Sequence, residues 1–163
     1  MSDAVPALPP LISTARLRLI PISATDAADM TAGRHQERWH ADYPRPDDVA
    51  VAALVRADAE PAAASWGPRH VVLGVHAVGM IGCFAPPVDG EADVAVGLVE
   101  AVRGQGVAAE ALAALTAAAE QVGVRLRAAT EPGDAAGLRL LAGCGYTRLR
   151  GATEDGQLVM VRP

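Results

Sequence analysis

Val94-Ala95-Val96-Gly97-Leu98-Val99-Glu100-Ala101-Val102-Arg103-Gly104-Gln105-Gly106-Val107-Ala108-Ala109-Glu110-Ala111-Leu112, continuing as an Ala/Leu-rich run to Val122, is the stretch from which the fold can be read. Val94 to Val99 is rich in valine and reads as a strand. Gly104 and Gly106 punctuate a turn, and the small, unbranched residues that follow favour helix. A helix starting directly after a glycine turn offers backbone N–H groups that have no intrahelical partner, and its macrodipole favours negative charge there. The order strand, turn, helix therefore predicts an anion site, and a phosphate-bearing cofactor is the first ligand it suggests.

Outward from this stretch, the bulk composition narrows the choice. The chain has 163 residues, enough for one domain with a continuous core; half of them are apolar but only 3% are aromatic, so that core is built from Ala, Val and Leu. A formal net charge of -5 argues against a nucleic-acid or anionic-membrane partner. All 14 cationic residues are Arg, with no Lys and no Asn, which excludes a phosphate-loop lysine, a Schiff-base lysine and Asn ligands. Cys83 and Cys144 form no Cys-x-x-Cys, and with Asp3, Pro6, Pro9 and Pro10 the start does not read as a signal peptide, so a reducing cytoplasm is expected. No metal cluster is legible. The longest apolar stretch, Val71 to Phe84, is interrupted by His76 and glycines and is shorter than the roughly 20 residues a membrane span needs.

Taken in order, residues 1–13 read as a flexible Pro-rich leader and 14–163 as a single domain. Arg16 to Ile22 alternates charged and aliphatic residues as a half-buried strand does; Ser23 or Thr25 caps a short helix to Gly33; and Pro46 opens a helix expected over 47–64. Two strands are expected at 69–75 and 78–84, a third at 91–99, a fourth at 125–130, a helix at 134–143, and a hairpin pivoting on Asp155-Gly156. This is a mixed α/β order, with an antiparallel meander in the middle and one parallel crossover around the central helix.

Two cofactor classes could use the turn. Gly104-x-Gly106-x-x-Ala109 fits the dinucleotide fingerprint, with Glu131 near the place of a ribose-binding acid, and would make the chain a nucleotide-binding oxidoreductase. The meander upstream and the short chain downstream count against that reading. The same residues also read as Arg-x-x-Gly-x-Ala, Arg103 to Ala108. In this register the sequence resembles the GNAT superfamily of N-acetyltransferases. Thr14-Ala15-Arg16-Leu17-Arg18-Leu19, Val78-Gly79-Met80-Ile81-Gly82 and Asp134-to-Tyr146 are similar to motifs of its RimJ/RimL-like branch.

The resemblance implies a GNAT-type α/β fold, with a mixed, partly splayed sheet flanked by helices, and acetyl-CoA as acetyl donor. It implies that Arg103, Gly104, Gln105, Gly106, Val107 and Ala108 hold the pyrophosphate. A backbone N–H of Leu98 or Val99 would polarise the acyl carbonyl, and Asp134 would bind the pantetheine arm. Asp93 is the expected general base. Trp39, His40 and Tyr43, with Asp42, Asp47 and Asp48 nearby, are the expected substrate-binding residues. The implied reaction is direct transfer to a primary amine, on a small molecule or a protein N-terminus; a homodimer is left open. Asp134 stands where the family usually has Asn, Gly137 where it often has Ser, and Leu141 where many members carry the tyrosine that protonates the thiolate. The last departure keeps a second reading open, a degenerate domain that binds acyl-CoA as a sensor or interaction module.

Overall fold

The computed structural model describes residues 4–163. Its eight strands are β1 (Ile12–Ser13), β2 (Leu17–Pro21), β3 (Arg69–Leu73), β4 (His76–Cys83), β5 (Glu91–Leu98), β6 (Arg125–Thr130), β7 (Arg148–Ala152) and β8 (Leu158–Val161). They form one sheet in the order β1-β2-β3-β4-β5-β6-β8-β7. Every neighbouring pair is antiparallel except β5 and β6. The helices are α1 (Ala24–Ala32), α2 (Pro46–Ala52), α3 (Pro61–Ala64), α4 (Val107–Gln121) and α5 (Ala135–Gly143). The single parallel pair is the one that needs a crossover, and α4 supplies it. A doubly wound dinucleotide fold needs a largely parallel sheet, so the oxidoreductase alternative has no scaffold here.

Side-chain alternation explains the strands. Leu17 and Leu19 of β2 are buried while Arg18 between them is exposed. On α4, Val107, Ala111, Leu112, Leu115, Ala118 and Ala119 form the buried stripe, and its alanines let the helix lie close to the sheet. The helix ends follow their capping residues. Ser23 Oγ accepts from Asp26 N–H at 3.0 Å, and Gly33 closes α1 with φ 74°.

Two expectations are corrected. The helix expected over 47–64 is two short helices: α2 ends at Ala52, and Pro61, which removes a helical donor and biases Glu60 away from helical ψ, starts α3 afresh. Between them Leu54 is left 70% exposed. The leader is also not free. Residues 1–3 lie outside the described part, but Leu8 and Ile12 are buried. Trp66 Nε1 donates to Pro6 O at 2.6 Å, Leu8 N–H donates to Ser65 Oγ at 2.9 Å, and Ile12 pairs with Leu19. Apolar burial and these hydrogen bonds anchor the segment to the sheet edge.

Candidate functional site

The site begins where the parallel pair comes apart. β5 and β6 are in register only from Glu91↔Arg125 to Val94↔Ala128. Beyond that point β6 stays with β8, through Thr130↔Leu158, and β5 stays with β4, through Leu98↔Gly79. The gap between them is a cleft of about 220 Å³ lined by Val94, Val96, Leu112, Thr130, Asp134 and Leu141, among others. Phe84 N–H donates to Asp93 O and Val99 N–H to Val78 O, so the odd-numbered residues of β5 direct their polar groups at β4. The even-numbered ones, Val96 and Leu98, direct theirs at the gap. The Val99 N–H is spent in the sheet at 2.9 Å, and the Leu98 N–H faces the cleft.

The glycine turn lies between the end of β5 and the start of α4. Gly104 and Gly106 have φ 79° and 78°, a region L-residues enter only at a cost. Gly106 is the N-cap of α4 and has no side chain to satisfy the helix start. Among the described residues, the N–H groups of Gly104, Gln105, Gly106, Val107 and Ala108 form no hydrogen bond within the protein. Arg103 Nε donates to Leu98 O at 3.2 Å, which ties the cation of the turn to the end of β5. The Gln105 side chain folds back onto Ala101 O, at 3.3 Å, and its backbone is the part aimed outward.

Glu110, an acid in the first turn of this helix, is held elsewhere. It accepts from the Thr14 hydroxyl, from Arg16 N–H at 3.0 Å and from Arg16 Nε at 2.8 Å. Hydrogen bonds from Thr14 and then Arg16 keep its carboxyl below the usual range. Arg16 also donates from Nη1 to Gln105 O at 3.1 Å, so a second guanidinium borders the turn. Sequence reading placed Arg16 only on a strand; its charge opposite Glu110 was a signal available only once the strand was placed beside α4.

Asp134 caps α5, its Oδ1 accepting from Gly137 N–H at 2.9 Å. The two departures from the family pattern belong together. A Cβ at position 137 would lie 2.6 Å from both Asp134 Oδ2 and Thr130 Oγ1, so a side chain there would force these groups to shift. Leu141 puts an aliphatic side chain in the cleft. Tyr146 does not substitute for a phenol there. It is 1% exposed, its hydroxyl lies 2.7 Å from Thr116 Oγ1, and burial pushes it up to about 12. Cys144 is buried with its Sγ donating to Ala109 O, and burial pushes the buried Cys83 thiol up to about 12.

The other face of β5 carries a second cavity, of about 360 Å³, over Ala95, Val96 and Gly97, roofed by α2. Arg45 lies so close to Gly97 that a Cβ on Gly97 would collide with its guanidinium. Asp48 grips that guanidinium through Nε and Nη2, at 3.1 and 2.8 Å, and also accepts the Arg45 N–H. Asp47, one residue away, lines the same cavity with an exposed carboxylate. Arg45 was missed in the sequence, where it reads only as part of a Pro-Arg-Pro punctuation.

Asp93, the expected base, is on this face of β5 but outside the cavity lining. Arg127 Nη2 donates to its Oδ2 at 3.1 Å, Arg127 Nε lies 3.0 Å from its Oδ1 without making a hydrogen bond, and Arg127 and Arg150 also meet Glu91. The Asp93 and Arg127 backbones are register partners, so the pair braces the one parallel junction. The carboxylate, 56% exposed, is paired with Arg127 and lies outside the cavity lining.

The expected substrate residues are also relocated. Trp39 and Tyr43 are 2% and 1% exposed, packed against each other and against His70. The Tyr43 hydroxyl lies 2.7 Å from His70 Nδ1, and His70 Nε2 lies 2.8 Å from Asp26 Oδ2. Burial pushes Asp26 up, but Gln36, His70 and Arg38 together hold it below its ordinary value. Burial holds His70 down, against the opposing pull of Asp26. His40 is partly exposed and turns its Nδ1 to Asp42 N–H at 3.0 Å. None of the three lines the cavity under α2. Among the described residues there is no group of His, Cys, Asp and Glu able to hold a metal, and no helix is long and apolar enough to cross a membrane.

The family described as acetyltransferase (GNAT) domain matches residues 16–147. No curated protein matches the chain in sequence. Among solved structures, an acetyltransferase from Agrobacterium tumefaciens is 22% identical with a TM-score of 0.66, covering 100% of this chain and 99% of that one. Mycobacterium smegmatis RimJ in complex with CoA-disulfide is 21% identical with a TM-score of 0.64, over 94% and 85% of the two chains. The microcin C7 self-immunity acetyltransferase MccE, in complex with acetyl-CoA and AMP, is 13% identical with a TM-score of 0.66, over 91% and 93%. At these identities the likeness is one of fold.

Proposed function

The chain belongs to the GNAT acetyltransferase family, and on that premise we propose that it moves an acetyl group from acetyl-CoA directly to a primary amine, in the cytoplasm, without an acyl-enzyme. The observation that carries this reading is the meeting of two cavities on β5. The cleft beside β6 and the cavity under α2 both include Ala95 and Val96, so two substrates entering from opposite faces would meet at one strand. That is the arrangement a ternary complex requires, since proximity replaces a collision between solutes.

The residues present fit a CoA donor. The free amides of Gly104 to Ala108 and the cation of Arg103 would hold the pyrophosphate. Asp134, with Oδ1 spent on its helix, has Oδ2 to accept a pantetheine amide. The donor supplies an activated thioester. The Leu98 N–H would polarise its carbonyl, a role for a preorganised backbone donor. The amine must lose its proton before attack, and Asp93, braced by Arg127, is not placed to take it; solvent in the open cavity is the outlet.

A screen of thiol release over amine classes tests the reading, with acetyl-CoA affinity measured by calorimetry. Thiol release that rises with amine concentration is expected; acetyl-CoA binding undetectable in the presence of any amine refutes it. One observation favours the second reading, a degenerate acyl-CoA binder: among the described residues no phenol or thiol faces the cleft beside Leu141. Tight CoA binding with no amine-dependent thiol release would select it.

A further inference from the structure

The cavity under α2 adjoins a second hollow of about 410 Å³, and Val51, Pro68, Cys83 and Phe84 line both. The trench so formed runs from Gly97 on β5, past α2, to a mouth where Leu54 and Phe84 are 70% and 62% exposed. Its polar inventory is short. The outer hollow has one charged side chain, Arg56, which is paired with Asp58 at 3.1 Å. At the inner end Arg45 and Asp48 satisfy each other. Asp47 is then the one carboxylate of the lining that has no partner among the described residues.

We propose that the acceptor is a monoamine on an elongated apolar body, its ammonium at Asp47 beside β5 and its tail along the trench; this rests on the acetyl-transfer reading above. Charge decides the head. With Arg45 and Asp48 cancelling, one net negative charge remains, which matches a single cation and offers nothing for the several ammonium groups of an aminoglycoside or polyamine. Hydrogen bonding decides the tail. A peptide laid in the trench would bury N–H and C=O groups that need partners, and Pro21, Pro68 and Pro86 in its walls have no N–H to give. An alkyl or aryl chain has no such need, and it would cover Leu54 and Phe84.

The test is kcat/KM with acetyl-CoA for n-butylamine through n-octylamine, against a polyamine, an aminoglycoside and an apolar tripeptide. Each added methylene should raise kcat/KM about fourfold until the trench is filled. Asp47→Asn should lower it by up to about fivefold for every monoamine. Leu54→Asp and Phe84→Asp, both at exposed positions, should flatten the dependence on chain length. A flat series in the wild type, or a polyamine, aminoglycoside or tripeptide preferred over octylamine, overturns the proposal while leaving acetyl transfer standing. If no amine is acetylated, equilibrium binding of the same series decides. Affinity that climbs with length and falls in Leu54→Asp supports the trench ligand although the transfer reading has failed, and absent or length-independent binding overturns both.

Discussion

Replacing Gly104 by Ala isolates the backbone contribution of the turn. A Cβ at Gly104 would meet no heavy atom within 4 Å, so the substitution removes nothing and collides with nothing. What remains is φ 79°, and holding an L-residue there costs about 1–2 kcal/mol. Gly106, at φ 78° and 3.5 Å from Arg16 at nearest, behaves the same way, so the double variant Gly104→Ala/Gly106→Ala carries about 2–4 kcal/mol of strain by simple addition. That strain has two places to appear. If the turn keeps its shape, the folded state bears the cost, and Tm falls by about 2–4 °C for each kcal/mol. If the turn relaxes, the free protein is comfortable and must be strained again on binding, so acetyl-CoA affinity falls about 5–30-fold per residue. Calorimetry and thermal melts on the same samples give both parts, and their sum is the quantity predicted. S-acetylpantetheine, which has no pyrophosphate, is the control: any affinity loss should be confined to acetyl-CoA. A summed loss below about 1 kcal/mol in the double variant would refute the positive-φ argument. An equal affinity loss for both donors would refute the assignment of the turn to the pyrophosphate.

Further predictions follow from the rest of the site. Asp93→Ala should cost less than about 1 kcal/mol of stability and leave kcat within about threefold, because an exposed ion pair is worth little; a hundredfold fall in kcat would restore Asp93 as the base. Gly137→Ser should destabilise by about 1–3 kcal/mol through the crowding with Asp134 and Thr130, and Thr130→Ala should recover part of it in denaturant melts. Stability should depend on pH through the Asp26–His70 pair. Asp26 is depressed in the fold, so its contribution is present above the unfolded value of 3.8 and is lost as pH falls below it. His70 is also depressed, so the unfolded chain binds the extra proton, and stability should decline as pH drops through 6.5. Urea midpoints flat from pH 8 to pH 5 would contradict the His70 part.

The elements of the site that are local in the chain were legible. The glycine turn, the helix it starts, the strand before it and the cap at Asp134 each rest on residues within a few positions of one another. Their propensities act over that range. The helix expected over 47–64 was misread for the same reason in reverse: Val51, Leu54 and Val55 have helical spacing, but α2 ends at Ala52 and Pro61 starts α3 afresh. Trp39 and Tyr43 looked like pocket residues because aromatic side chains in a loop suit either a ligand or a core. Only His70, which is 27 residues beyond Tyr43 and 2.7 Å from its hydroxyl, shows that they serve the core.

By itself the sequence determined the glycine turn, the alternation of strands and helices, the absence of lysine chemistry, and through its motifs the family. The tertiary structure decided where β6 leaves β5, and with it which N–H of the central strand faces the cleft. It decided that Arg127 pairs with Asp93, that Arg45 lies on Gly97, and that Asp47 has no partner among the described residues. The physical reason is one of range. Propensity and capping energies act between neighbours in sequence. The splay and the charge pairs depend on which distant strands compete for the same backbone groups, and that competition takes place only in the folded sheet.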